Sequence, residues 1–304
     1  MKSVIIIATL LLTVNFVIAN EIDSLKTNQE VQNFLVEKVY NKWKEFNFFE
    51  GTTKDTSKYG KFKFFKTDLD NNGLTDLIIN GTYFFAVVDK GNGNYKTYSI
   101  DRGAFSLDKY TLKNIIYTNK QPLLVINGYN DLNFSIQDTT KTDTLILNSD
   151  GFIEYNPFPD DLKIEKINFS TSPCYGKCPI FKMTINDKRI ATFQAIEYNE
   201  KTGNFTATID SSSYNNLVET INYIKLSSLK NDYAVSWTDD QTATLEITFN
   251  NGQTKTINDY GEIGTFGLAN LYNQLFLLRK TQKWKWEKQP PTKASYVAKQ
   301  WGSQ

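Results

Sequence analysis

Two stretches of the chain carry residue types whose spacing could do chemistry. The first is Thr171-Ser172-Pro173-Cys174-Tyr175-Gly176-Lys177-Cys178-Pro179-Ile180, which holds both cysteines of the 304 residues. Two thiols four positions apart can close a small disulfide, exchange electrons with another dithiol, or hold a soft metal ion. The second stretch runs from Thr67 through Asp68, Asp70, Asn72 and Asp76 to Ile79. Its side-chain oxygens at Asp68, Asp70, Asn72 and Asp76 fall at positions 1, 3, 5 and 9 of a calcium loop, and Leu74 offers its carbonyl at position 7. Gly73 stands at the sixth position, where the turn is sharpest. Calcium favours this pattern because about six to eight hard oxygens must converge from one tight turn. The twelfth position, where an EF-hand has its bidentate Glu, is Ile79, so the loop is not an EF-hand. The competing reading is a turn in which Asp and Asn side chains cap their own backbone.

What is missing narrows the chemistry. The chain has no histidine. That excludes Ser-His-Asp and Cys-His nucleophile pairs, His-ligated zinc and an imidazole base, and leaves any acid-base work to carboxylates, Tyr or Lys. With 34 Lys plus Arg against 33 Asp plus Glu, the formal net charge is +1, which gives no global pull towards nucleic acid. The adjacent pair Asp239-Asp240 and the acidic loop are the candidates on which a glycan hydrolase with paired carboxylates could be built. Adjacent acids on a turn more often just face water.

The N-terminus reads as an export signal over residues 1–19. Lys2 supplies positive charge, Val4 to Val17 is mostly apolar, and Val17-Ile18-Ala19 fits cleavage after Ala19. The apolar run is shorter than the roughly 20 residues needed to span a bilayer; a retained anchor is the alternative. The expectation is an exported protein, periplasmic or secreted, with no transmembrane span after cleavage. In that compartment Cys174 and Cys178 are expected to pair.

The elements that must position these stretches follow from periodicity. Thr27-Asn28-Gln29-Glu30 is a capping box, and Val31, Leu35, Val39, Trp43 and Phe46 recur at helical spacing, which predicts a helix over about 28–46. Alternating Lys and Phe at 61–66 predicts a strand entering the acidic loop. Short strands then follow at 83–88, 95–100, 111–117, 123–127, 134–137, 144–147 and 152–155, an antiparallel meander. Two prolines and two acids in Asn156–Asp161 mark a boundary. Beyond it lie strands at 163–169, 180–185, 189–195 and 205–209, then a helix capped by Asp210 with Leu217, Ile221 and Ile224 on one face. Strands at 233–237, 244–249 and 254–257 follow, and a last helix over about 265–280 carries Leu268, Leu271, Tyr272, Leu275 and Leu278. Residues 283–304 form a basic aromatic tail. Its Lys283-Trp284-Lys285-Trp286 could dock on acidic or glycan surfaces, or simply fold back.

Three resemblances add to this reading. Asp68, Asp70, Asn72, Gly73 and Asp76, followed by Leu77-Ile78, resemble the calcium loop of the FG-GAP and VCBS-type β-repeats of extracellular proteins. The resemblance implies a loop between two strands that binds calcium. The P-C-Y-G-x-C-P motif of Pro173–Pro179 is similar to the opening of an uncharacterised domain family of exported bacterial proteins. That similarity continues through Trp237–Thr242, Asn251-Gly252 and Asp259-Tyr260-Gly261, covers about 165–280, and implies a fold unit without a function. The C-x-x-x-C-P spacing also resembles the loop of Sco-type copper chaperones, which complete their site with a histidine that this chain lacks.

The sequence thus leads to an α+β protein of two domains. Residues 20–156 form an antiparallel β-meander with an N-terminal helix, and residues 162–282 a smaller α+β domain. Its expected role is that of a non-catalytic, exported binding or envelope-associated module, stabilised by calcium and one disulfide. The partner would be an unidentified protein or glycan of the cell envelope, and not nucleic acid. The alternative is an exported thiol-disulfide or copper-handling protein acting through Cys174 and Cys178.

Overall fold

The computed structural model describes residues 20–39, 62–81, 83–101, 108–130, 141–148 and 151–287. The export signal, Trp43 and Phe46 of the first helix, the strand expected at 134–137 and the tail beyond 287 lie outside the described residues. Two compact units emerge: residues up to 82 together with 86–97, and residues 83–85 together with 98 onward. Among the described residues no helix is long and apolar enough to cross a membrane.

The first unit begins with α1 (Glu21–Ser24) and α2 (Asn28–Phe34). Thr27 Oγ1 accepts the Glu30 N–H at 3.2 Å and Glu30 Oε2 accepts the Thr27 N–H at 2.8 Å, the capping box expected from the sequence. At Leu35 the helix widens to π spacing through Val39, instead of continuing as a regular α-helix. Val31, Leu35 and Val39 are buried as their periodicity required. β1 (Lys63–Thr67), β2 (Asp76–Asn80), β3 (Phe84–Asp89) and β4 (Tyr95–Ser99) form a sheet in that order, with β1 and β2 antiparallel. β4 is short and largely exposed, with Lys96 as its second residue, as suits an edge that must not recruit another strand. The strands after it therefore start a separate sheet, where the sequence predicted one continuous meander.

That second sheet is an antiparallel run of β5 (Asp108–Thr118), β6 (Gln121–Asn130), β7 (Lys141–Asn148) and β8 (Gly151–Glu154). The expected linker, Asn156–Asp161, is fastened down. Asn156 N–H donates to the Tyr223 hydroxyl at 3.1 Å and Asp160 N–H to the Asn222 carbonyl at 3.0 Å.

The remaining strands are β9 (Ile164–Thr171), β10 (Ile180–Asn186), β11 (Ile190–Glu197), β12 (Gly203–Thr208), β13 (Asp232–Ala234), β14 (Thr242–Phe249), β15 (Thr254–Tyr260) and β16 (Lys285–Trp286). They make one eight-stranded sheet ordered β13-β15-β14-β9-β10-β11-β12-β16, in which only β13 and β15 run parallel. Alternate residues of β14 are buried, so one face is apolar. Its other face is tied by polar bonds such as Asn168 to Glu246 at 2.7 Å and Thr184 to Asn168 at 2.9 Å. α3 (Ser211–Tyr223) and α4 (Phe266–Thr281) contribute Leu217, Ile221, Leu271 and Leu275 to the core on the apolar face.

α4 is buried on more than one side, and its polar groups need protein partners. Thr265 Oγ1 accepts the Leu268 N–H at 3.1 Å. Glu154, the last residue of β8, takes the next two donors: Oε1 accepts Phe266 N–H at 2.7 Å and Oε2 accepts Gly267 N–H at 2.8 Å. A carboxylate here satisfies orphan donors and also meets the positive end of the helix dipole. Tyr110 packs edge-on against Phe266, with ring centroids 5.1 Å apart, next to this cap. Replacing Glu154 by Ala should lower unfolding stability by about 1 to 2 kcal/mol in urea melts. A loss below about 0.5 kcal/mol would show that the cap is idle.

Candidate functional site

The acidic loop joins β1 to β2 and closes over itself. Asp68 accepts N–H bonds from Asn72 at 3.1 Å and Gly73 at 2.8 Å, and Asn72 Oδ1 accepts from Leu74 N–H at 2.7 Å. Gly73 sits at φ 86, in the left-handed region that glycine enters without a Cβ clash. Asp76 is fully buried; its two oxygens accept Leu69 N–H at 2.7 Å and Asp89 N–H at 2.8 Å. One carboxylate oxygen from each of Asp68, Asp70 and Asp76 lies within 4.8 Å of the other two. The half-buried Leu74, expected to contribute its carbonyl, lies between Asn72 and β2.

Sequence reasoning missed the residues that seal this loop from β3. The Asp89 carbonyl accepts from Asn72 Nδ2 at 2.7 Å, and the Lys90 ammonium sits 2.6 Å from Asp70 Oδ2. The other Asp70 oxygen, Oδ1, is buried without a hydrogen-bond partner. Burial pushes the Asp76 carboxyl up to about 7. The N–H bonds from Asp89 and Leu69 oppose that shift, and the charges of Asp70 and Asp68 add to it. Three converging carboxylates and an orphaned buried oxygen fit a hard cation. The carboxylates that already accept N–H bonds still have lone pairs to offer it.

The cysteine turn lies at one end of the eight-stranded sheet. Register fixes why: Thr171 of β9 faces Ala243 of β14, Thr242 faces Tyr260 of β15, and Tyr260 faces Ala234 of β13. The loops leaving these strands, 172–179, 235–241 and 261–265, therefore meet. Cys174 and Cys178 form a disulfide, with Cα atoms 5.9 Å apart. Tyr175 between them is 90% exposed. β10 follows the second cysteine, so the turn does not lead into a helix as the C-x-x-C of thioredoxin-like enzymes does. A Cβ on Gly176 would stand 3.6 Å from Cys174 Sγ, an ordinary contact, so the turn does not require glycine for space.

Polar side chains clamp the ends of the turn. Buried Gln241 donates from Nε2 to the carbonyls of Ser172 at 2.8 Å and Pro179 at 3.1 Å. The Thr171 hydroxyl donates to the Pro179 carbonyl at 2.7 Å. Tyr175 N–H reaches the Asp239 carbonyl at 2.9 Å, and the Gln241 carbonyl accepts Gly261 N–H at 2.8 Å. Asp239 and Asp240 are used locally. Asp240 accepts from Trp237 Nε1 at 2.9 Å and from Gln241 N–H at 3.1 Å, which draws 235–241 out of the strand expected over 233–237. Asp259, also fully buried, accepts N–H bonds from Ile263 at 2.8 Å and Gly264 at 2.9 Å. A Cβ on Gly264 would lie 2.5 Å from Asp259 Oδ2, and one on Gly261 2.7 Å from Val235, so both glycines are required by close approach.

Beside Asp259 sits the half-buried Glu262, whose carboxyl is pushed from its ordinary 4.5 to about 7 by burial first, then by the charges of Asp259 and Asp240. The native state holds a proton there that the unfolded chain releases. The stability this brings is full below pH 4.5 and is lost as pH rises through about 7. Subtracting the Tm–pH curve of Glu262→Gln from that of the parent should expose a decline confined to this window. Parallel curves would mean that Glu262 titrates normally.

Comparison with known proteins bears on the second unit alone. Residues 165–279, from β9 to near the end of α4, match a family model described as a domain of unknown function (DUF6438). The expectation of an uncharacterised domain over about 165–280 holds in that form, and the match assigns no role to the cysteine turn or to the acidic loop. No curated protein and no solved structure matches this chain.

Proposed function

We propose that this chain is an exported, non-catalytic binding or envelope-associated module, with calcium stiffening the acidic loop and the Cys174–Cys178 disulfide stapling the second unit. One observation carries the reading. At the cysteine pole, Asp259, Asp240 and Gln241 are engaged in holding loops. Asp259 shapes the approach to α4, Asp240 holds the Trp237 turn, and Gln241 closes the cysteine loop. The first unit gives parallel support: the carboxylates of its loop converge, and one oxygen of Asp70 is left over. Bound calcium would be ligated by Asp68, Asp70 and Asp76, with Asn72 and the Leu74 carbonyl as the remaining candidates.

Calcium binding would stabilise the first unit by mass action, about 2.7 kcal/mol at a hundredfold excess over Kd. Calcium should therefore raise the Tm by on the order of 10 °C over chelator, and Asp70→Ala should abolish the difference. Identical melts with and without chelator would remove calcium from the account. The disulfide closes a short loop, so replacing both cysteines by Ser should cost about 2 kcal/mol in the second unit. Unchanged denaturant midpoints would contradict a structural staple.

A further inference from the structure

A second feature of the second unit has the makings of a ligand site. A cleft of about 320 Å³ lies between the β11–β12 turn, the end of α4 and the chain leading into β16. Its floor is aromatic: Phe193 and Phe205 are buried, and the Trp284 ring sits 5.1 Å from that of Phe193. Trp284 is fixed there because its Nε1 donates to the Leu278 carbonyl at 3.0 Å. The cleft's cations are Arg279, Lys201, Lys280 and Lys283, set against the single acid Glu200. The chain as a whole has a net charge of only +1, so this is a local concentration of charge.

Arg279 is built in rather than loosely exposed. Its guanidinium carbon lies 4.9 Å from the Phe181 ring centroid and 5.1 Å from that of Phe276. Nε donates to the Phe276 carbonyl at 3.1 Å and Nη1 to Asn199 Oδ1 at 2.8 Å. Asn199 is held in turn by its bond to the Ile180 carbonyl at 2.9 Å. Nη2 has no acceptor among the described residues. A planar, pre-oriented guanidinium with one edge free is suited to the oxygens of a carboxylate or sulfate. Beyond the cleft, Trp286 on β16 is 61% exposed and offers a second ring. The sequence after Glu287 contains lysines and no Asp or Glu, so it extends the same charge and is not a complementary occupant.

We infer that this cleft binds an acidic glycan, with a sugar ring against Trp284, its carboxylate or sulfate on Arg279, and neighbouring acidic units on the lysine rim. The inference rests on the reading of the chain as a binding module, and gives that module a ligand class. A nucleic acid would present evenly spaced phosphates. One half-buried planar cation over an aromatic floor, in a chain of near-zero net charge, favours an acidic sugar instead.

The test titrates the full exported chain by calorimetry with oligogalacturonate, a sulfated oligosaccharide, the methyl-esterified neutral form and oligo-dT. Saturable binding of the uronate or the sulfated chain is expected, the better of the two identifying the acid. The neutral form should be lost. Lys201→Glu with Lys283→Glu, both on the exposed rim, should weaken binding at least about tenfold with an unchanged Tm. Arg279→Lys, which keeps the charge but not the planar fork, should weaken it similarly. No binding of either acidic glycan, preference for the neutral form or oligo-dT, or full affinity in the rim variant would overturn the site. Oligosaccharide recovered shortened would instead refute the non-catalytic reading and leave the cleft standing.

Discussion

The second unit depends on how α4 is buried. A helix packed on several sides has no water to satisfy its first N–H groups, so the protein must supply acceptors. Glu154 does this across 112 positions of sequence, and the requirement fixes β8 at the head of the helix. The rest of α4 follows from the same constraint. Tyr272 stacks on Phe169 with centroids 5.6 Å apart, and Gln274 bonds Thr220 at 2.9 Å and Asn270 at 2.8 Å instead of facing solvent. At the far end, Arg279 is held between Phe181 and Phe276, and the chain turns back to add β16 to the sheet edge.

The two stretches that could do chemistry use one device. In both, a carboxylate with little or no exposure gathers backbone N–H groups and so fixes a loop: Asp76 in the first unit and Asp259 in the second. They differ in what remains. Around Asp76 the carboxylates of Asp68 and Asp70 converge so that one oxygen from each of the three lies within 4.8 Å of the others, a spacing a cation could bridge. Around Asp259 the loop leads directly into the head of a buried helix, and the disulfide, Thr171 and Gln241 brace the neighbouring turn. The motif Asp259-Tyr260-Gly261 is therefore a packing requirement, with Val235 against Gly261 and Asp259 against Gly264.

Much of this was legible in the sequence because it rests on local rules. The Thr27–Glu30 capping box, the Asn251-Gly252 turn and the apolar stripe of α4 are short-range signals, and the structure carries each of them. The acidic loop was legible by spacing, and its strand-to-strand placement follows. The long-range partners were not. Nothing near Glu154 marks it as the cap of a helix that begins at Phe266, and Asp89 ends another strand, with Lys90 just after it, well along the chain from the loop they seal. Gln241 was visible only as part of a motif, since its role depends on β14 lying beside β9. The basic cleft joins side chains from β11, β12, α4 and the segment after it, so only Lys283 to Trp286 hinted at it.

The claim at the centre of this account is that the P-C-Y-G-x-C-P turn braces the end of the sheet. Amide hydrogen exchange, comparing the oxidised protein with Cys174→Ser/Cys178→Ser, tests it most directly. The account predicts faster exchange at Cys174 to Lys177 and at Asp239 to Thr242, with the interiors of β9, β10 and β14 still protected. Equal protection across these segments without the disulfide would contradict it, and would turn attention to what a half-buried, dispensable cysteine pair does.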